Sequence, residues 1–222
     1  EHKIKLIYTG VDADWFAAPL ADNDLRRKFA IGAEDFLVVS AARFSLEKGH
    51  KLMLNAIATV KQLLKGKNQS RKMRFILSGD GELFEECKNL AKELGIEEDV
   101  VFTGYMKDIR PLYQAGDLYV SHSLSESFGI SILEAMASGL PIVASNSGGP
   151  AEIITEETAC GILTAAGDSE ELAKAIIKMM EDVELYEKCR NNAITAVKEK
   201  FNIDKTVEET YEYYLKSRTS IS

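Results

Sequence analysis

At 222 residues, with 45% hydrophobic and 28% charged residues, the sequence has the make-up of a globular chain of one large domain or two small ones. No apolar run is long enough to cross a bilayer, and no cationic segment followed by an apolar one opens the chain. A net charge of −8 with no offsetting basic stripe excludes a general nucleic-acid binder.

In chain order, "KIKLIYTG" (Lys3–Gly10) reads as a short strand and "DNDLRRKFAIG" (Asp22–Gly32) as a short helix closed by glycine. "FLVVSAA" (Phe36–Ala42) is a buried strand, followed by an amphipathic helix over Leu46–Gly66. Strands are expected at Met73–Gly79, Asp99–Gly104, Asp117–His122 and Pro141–Ser145, with helices at about Gly81–Leu94 and Asp108–Ala115 between them. An apolar helix follows "SLSESFG", and Ser169–Glu181, Val183–Lys200 and Asp204–Ser217 are three closing helices. Continuous apolar strands alternating with helices indicate an α/β fold, a doubly wound parallel sheet covered on both faces. No linker or low-complexity tract interrupts it, so a single domain over 1–222 is expected, with helices 183–217 packing on it. The three cysteines, Cys87, Cys160 and Cys189, make neither a metal pattern nor a disulfide framework, so a reducing, cytoplasmic setting is expected. The first residue is Glu rather than Met, so more chain is expected on the amino-terminal side.

Ligands of such sheets bind beyond the carboxyl ends of the strands. Four segments there carry candidate chemistry. In "ARFSLEKG" (Ala42–Gly49), Arg43 offers a planar fork to phosphate oxygens and Lys48 a mobile charge, unless both are solvated surface cations. Global negative charge does not veto such a site, because charges beyond roughly 8 Å are screened at physiological salt. "LSGDGE" permits close backbone approach at Gly79, but it is not a GxGxxG fingerprint and so argues against a Rossmann oxidoreductase. Tyr105 and Met106 in "FTGYMKD" could cover a flat base or could be core. In the fourth, Glu126 and Glu134 flank "SFGIS" (Ser127–Ser131), about 12 Å apart by helical rise. That is wide for a glycosidase pair at roughly 5–9.5 Å, and suits the two ends of one long ligand. A helix N-terminus between them is an anion site. The plainer readings are a helix-terminal charge at Glu126 and a salt bridge at Glu134.

The stretch "SESFGISILEAMASGLPIVASNSGGPAEII" resembles the ExFGxxxxEAxAxGxPVVAxxxGGxxEii signature of retaining GT-B glycosyltransferases of group 1, glycosyltransferase family 4. "ARFSLEKG" resembles that family's GRL…EKG segment with Ala42 in place of Gly, "SGDGE" its GdGp turn, and "IYTGVDADWF" its entry to the C-terminal domain. The resemblance implies the Rossmann-like donor-binding half of a GT-B fold. It implies that Arg43, Lys48 and the N–H groups around Phe128, Gly129, Ile130 and Ser131 hold the diphosphate of a nucleotide-sugar. Glu126 would meet the transferred sugar, Glu134 the ribose, and Gly79, Tyr105 and Met106 would line the donor site. Catalysis would rest on Glu126, Arg43 and Lys48, with retention of configuration and with no cofactor or metal. His122 departs from the proline usual in the family and reads as a strand-end polar residue. The implied partners are a nucleotide-sugar donor, an acceptor glycan or lipid-linked sugar, and an amino-terminal acceptor domain outside this sequence. Without that domain no sugar transfer is expected. The full-length protein would work in the cytoplasm, peripheral to the inner membrane face. A non-catalytic nucleotide-sugar binding module shares the same donor residues; a GT-B-like sugar-nucleotide epimerase fits the two motifs less well.

Overall fold

Six apolar segments, each begun or ended by turn-forming residues, pair into one parallel sheet. The computed structural model describes residues 4–67 and 71–219. The strands are β1 (Phe36–Ala41), β2 (Met73–Ser78), β3 (Val100–Gly104), β4 (Leu118–Ser121), β5 (Ile142–Asn146) and β6 (Gly161–Ala165), in the order β3-β2-β1-β4-β5-β6. Every neighbouring pair is parallel. Successive strand side chains point to opposite faces, so each strand feeds two cores. Leu37 and Val39 join Ile132, Met136 and Val197 on one face, while Phe36 and Val38 join Met53, Ile57 and Ile176 on the other.

The first face carries α1 (Ala13–Ala17), α5 (Arg110–Ala115), α6 (Ile130–Ala137), α7 (Pro150–Ile153) and α9 (Val183–Lys200). The second carries α3 (His50–Leu64), α4 (Phe84–Glu93) and α8 (Ser169–Glu181), whose buried residues interlock with those of α3. Helices on both faces are what a sheet without polar strand faces requires. Chain direction across the sheet reverses between β1 and β4. That switch point opens a crevice at the carboxyl ends of the two strands.

Several expectations change. The strand expected at Lys3–Gly10 begins outside the described residues, and residues 4–10 join no sheet. Ile4 and Leu6 are solvent-exposed, and Val11 instead makes a parallel bridge to Asn202, accepting from Ile203 N–H and donating to the Phe201 carbonyl. The amino-terminal segment is thus tied to the end of α9 through the main chain of Val11 rather than to either edge strand, β3 or β6. The helix expected over Asp22–Gly32 shortens to α2 (Leu25–Lys28), as Ala30 turns to a positive φ of 51° and Arg26 reaches out to the carbonyls of Ala115, Gly32 and Asp35. The helix expected over Leu46–Gly66 is two pieces: a 3-10 turn at Leu46–Lys48, then α3, divided by Gly49 at φ 69°. Helices α1 and α7 and strand β6 lie outside the expected elements; "GILTA" is an edge strand that opens on glycine and is only partly buried, so no continuous apolar run marks it.

Of the closing helices, α9 packs through Cys189, Ala193, Ala196 and Val197. The last, α10 (Ile203–Thr219), touches the amino-terminal segment through Thr206 Oγ1, which donates to the Tyr8 carbonyl, and presents Val207, Tyr211 and Tyr214 to solvent. Among the described residues no helix is long and apolar enough to cross a membrane.

Candidate functional site

Four loops, those after β1, β2, β4 and β5, meet above the switch point. In the loop after β1, Phe44 is fully buried and fixes the main chain, donating its N–H to the Asp80 carbonyl and accepting from Leu83 N–H. The loop after β2 lies directly against it. A Cβ at Gly79, whose φ is +136°, would fall 1.9 Å from the Ala42 carbonyl oxygen, so only glycine fits there. Glu47 accepts the N–H groups of Leu124 and Ser125 through its main-chain carbonyl, which pins the first loop to the loop after β4.

The loop after β4 carries Glu126. Its main chain bridges to the loop after β5, with Glu126 N–H donating to the Ser147 carbonyl and Gly149 N–H donating to the Glu126 carbonyl. A Cβ on Gly149 would sit 2.2 Å from Phe128 Cα, so the paired glycines of "SNSGG" let these loops nest. Phe128 turns its ring away from the crevice and stacks on Tyr8 at 5.7 Å, with Phe201 edge-on to both rings. Gly129, at φ 107°, then starts α6. The first N–H groups of that helix, at Ile130 and Ser131, have no carbonyl one turn behind them within the helix. They carry the positive end of the helix dipole. Ile130 is half exposed rather than packed, whereas Ile132, Leu133, Ala135, Met136 and Ala137 are buried.

The charged residues fall into two groups around this terminus. Lys48 Nζ lies 2.7 Å from Glu126 Oε2, with Ser123 Oγ at 3.4 Å from the same oxygen. Arg43 is mostly solvent-exposed and reaches Glu82 at 3.4 Å. Glu134, about one turn into α6, accepts a 2.9 Å hydrogen bond from the Tyr113 hydroxyl rather than a salt bridge, and its burial raises its pKa. Ser131 Oγ accepts from the Tyr119 hydroxyl at 2.8 Å. Among the described residues no group of three or more His, Cys, Asp or Glu side chains is placed to hold a metal ion.

A cleft of about 670 Å³ gathers Arg43, Gly79, Tyr105, Met106, Ser131 and Glu134. Tyr105 is exposed at its rim and Met106 rests partly on the core. Lys48, Glu126, Phe128, Gly129 and Ile130 are not in that lining; Lys48 belongs to the 3-10 turn after β1, and the others to the loop after β4 and the N-terminus of α6. The cleft also contains Ser78, Asp80, Ile109 and Tyr113, which the sequence reading did not single out. Ser78 and Asp80 stand on either side of Gly79, and a polar residue closing an apolar strand was the available signal. Tyr113 gave none, since an aromatic residue inside a short helix reads as core. Together these groups form a concave surface with a positive helix terminus and two cations, and with a carboxylate to each side, suited to an anion that carries hydroxyl groups on both flanks.

The sequence model for glycosyl transferases group 1 matches residues 21–196. An uncharacterized glycosyltransferase of Methanocaldococcus jannaschii is 29% identical over 219 residues, covering 96% of this chain and 54% of the relative. The UDP-Gal:alpha-D-GlcNAc-diphosphoundecaprenol alpha-1,3-galactosyltransferase of Escherichia coli is 28% identical over 218 residues, covering 96% and 54%. Among solved structures, Anabaena HepE in complex with UDP superposes with a TM-score of 0.83 at 30% identity, over 96% of this chain and 57% of that one. The chain therefore spans about half the length of the relatives it matches.

Proposed function

Because the chain belongs to the group 1 glycosyltransferases, we propose that it is the donor-binding part of an enzyme that transfers a sugar from a nucleoside diphosphate sugar to an acceptor with retention of configuration. The observation that carries this reading is the open N-terminus of α6 lying between the Lys48–Glu126 pair on one side and the cleft with Arg43 and Glu134 on the other. The related HepE structure holds UDP, and in further structures UDP-glucose, which supports a uridine nucleotide as the first ligand to test.

In this reading the diphosphate lies over the N–H groups of Phe128 to Ser131, between Arg43 and Lys48. Glu134 accepts from the ribose hydroxyls, the base rests near Tyr105 and Met106 against Gly79, and Glu126 accepts from a hydroxyl of the transferred sugar. Breaking the anomeric C–O bond moves negative charge onto the leaving diphosphate. Fixed donors aimed at that charge stabilise the transition state more than the ground state. Lys48, Arg43 and the helix terminus supply such charge without a metal, and the departing phosphate oxygen takes the proton of the acceptor hydroxyl. The acceptor is a glycan or a lipid-linked sugar, the class named for the Escherichia coli relative, and its site belongs to an amino-terminal domain beyond these 222 residues. The protein then acts in the cytoplasm at the inner membrane face, and these 222 residues alone bind donor without transferring sugar.

The test is calorimetric titration with UDP, GDP and ADP and their glucose conjugates, with and without EDTA. Selective binding of one nucleotide, unaffected by EDTA and weakened in Glu134→Ala, is expected. Equal or absent binding of all three, or sugar transfer by this chain alone, contradicts the reading.

A further inference from the structure

At the end of β4 stands an imidazole that the donor scheme does not use. His122 is 1% exposed, and both of its ring nitrogens have partners. Nδ1 is 2.7 Å from the Lys48 carbonyl oxygen, and Nε2 is 3.0 Å from Ser40 Oγ. A carbonyl oxygen only accepts, so Nδ1 carries the proton. A neutral ring then leaves Nε2 as an acceptor, and the Ser40 hydroxyl donates to it. Burial keeps the ring neutral by pushing its pKa down to about 4. Strand residues of β1 and β4 thus orient one N–H group at one main-chain oxygen, that of Lys48.

The surrounding contacts act on the same short segment. Gly49, directly after Lys48, runs so close to β4 that a Cβ would lie 2.4 Å from the His122 carbonyl oxygen. Glu47, directly before it, accepts from the N–H groups of Leu124 and Ser125. Lys48 ends a 3-10 turn, a conformation with poor internal hydrogen bonding, so its direction depends on these outside contacts. Its Nζ meets Glu126 only four residues after His122 in sequence. The imidazole is therefore one part of a brace between the strand end that bears Glu126 and the turn that bears Lys48.

We propose that His122 is a positioning residue: through its Nδ1–H bond to the Lys48 carbonyl it fixes the turn that aims the Lys48 ammonium at the ligand's diphosphate. This rests on the donor-site reading above. The Ser40 hydroxyl bond at Nε2 sets the tautomer, so the Nδ1–H bond to the Lys48 carbonyl has a fixed direction. Losing the bond leaves a partly buried carbonyl unpaired and lets the turn relax, so the diphosphate contact weakens while the nucleoside end of the cleft is unchanged.

The experiment compares wild type, His122→Leu and His122→Asn for UDP and uridine binding by NMR titration. It is joined by the ¹⁵N spectrum of the wild-type histidine rings. Asn can place an amide N–H where Nδ1–H stands; Leu cannot. The expected result is Nδ1 protonated and Nε2 bare in the spectrum. His122→Leu should then lose about fivefold in UDP affinity with uridine unchanged, and His122→Asn should recover most of that loss. Equal UDP affinity in His122→Leu and wild type overturns the proposal. So does a parallel loss for UDP and uridine that Asn does not rescue, because that is damage to the fold rather than to Lys48. A spectrum with the proton on Nε2 overturns it without any variant. Failure of wild type to bind UDP, GDP or ADP overturns the donor reading and the role of Lys48 with it, an outcome distinct from failure in the variants alone.

Discussion

Replacing Glu126 with Gln separates what this carboxylate does for the fold from what it does to a ligand. In the free protein Glu126 Oε2 holds Lys48 Nζ at 2.7 Å, with the two side chains 15% and 25% exposed. Exposed pairs are worth about 0–1 kcal/mol, and breaking a fully buried one costs about 3–5 kcal/mol. A pair screened on one side only falls between, at about 1–2 kcal/mol. Glu126→Gln keeps the shape and removes the charge, so the melting midpoint should drop by about 2–8 °C for a chain of this size. The same change frees Lys48 for the diphosphate, which otherwise competes with Glu126 for one ammonium. UDP should then bind about three- to tenfold tighter to the variant than to wild type. UDP-glucose should gain nothing or weaken, because a hydrogen bond to a charged acceptor, worth about 1.5–3 kcal/mol, is lost at the sugar. Calorimetric titration with both ligands, alongside a thermal melt, reads all three effects. If the melt shifts as stated but UDP binds no tighter, Lys48 is not the group that meets the diphosphate, and the reasoning fails.

Glu134→Ala should weaken UDP binding by about tenfold or more and also cost about 1–3 kcal/mol of stability, because the fully buried Tyr113 loses the acceptor of its hydroxyl; urea unfolding measures the second effect. Gly149→Ala, whose new methyl would sit 2.2 Å from the Phe128 main chain, should cost more stability than Gly167→Ala, which meets nothing within 4 Å although its φ is also unusual at +85°; denaturant midpoints rank the two. Burial lowers the pKa of His122 to about 4 and that of His50, stacked on Phe44, to about 2. Both rings bind protons more readily in the unfolded chain, so stability should be full above about pH 6.5 and fall as pH drops toward 4. With two protons taken up on unfolding, the slope should approach about 2.7 kcal/mol per pH unit. His50→Phe should remove roughly half of it, as followed by urea midpoints across that range.

The order of apolar strands and amphipathic helices made the doubly wound sheet legible from the sequence, because a strand buried on both faces has to be apolar throughout and has to alternate with helices that cover it. The signature from Ser125 to Ile154 was legible for a related reason: its paired glycines, Gly148 against Glu126 and Gly149 against Phe128, sit where loops nest too closely for any Cβ, so those residue types are dictated. Other features had no local signal. Residues 4–10 look like a strand, yet a strand forms only where a partner strand pairs with it, and the segment's bridge, at Val11, is to Asn202, nearly two hundred residues further on. Helical periodicity ran through Gly49, but the close approach of that turn to His122 is a long-range contact that no window of sequence contains. By composition and spacing the sequence by itself determined the fold class and the set of cations, carboxylates and glycines available for chemistry. Only the tertiary structure decided who meets whom: Lys48 with Glu126 across 78 residues, Tyr113 with Glu134, and His122 with the Lys48 carbonyl. The physical reason is that apolar burial is non-directional and is written as a local pattern. Hydrogen bonds and ion pairs are directional, and their partners are set by where the sheet's switch point brings distant loops together.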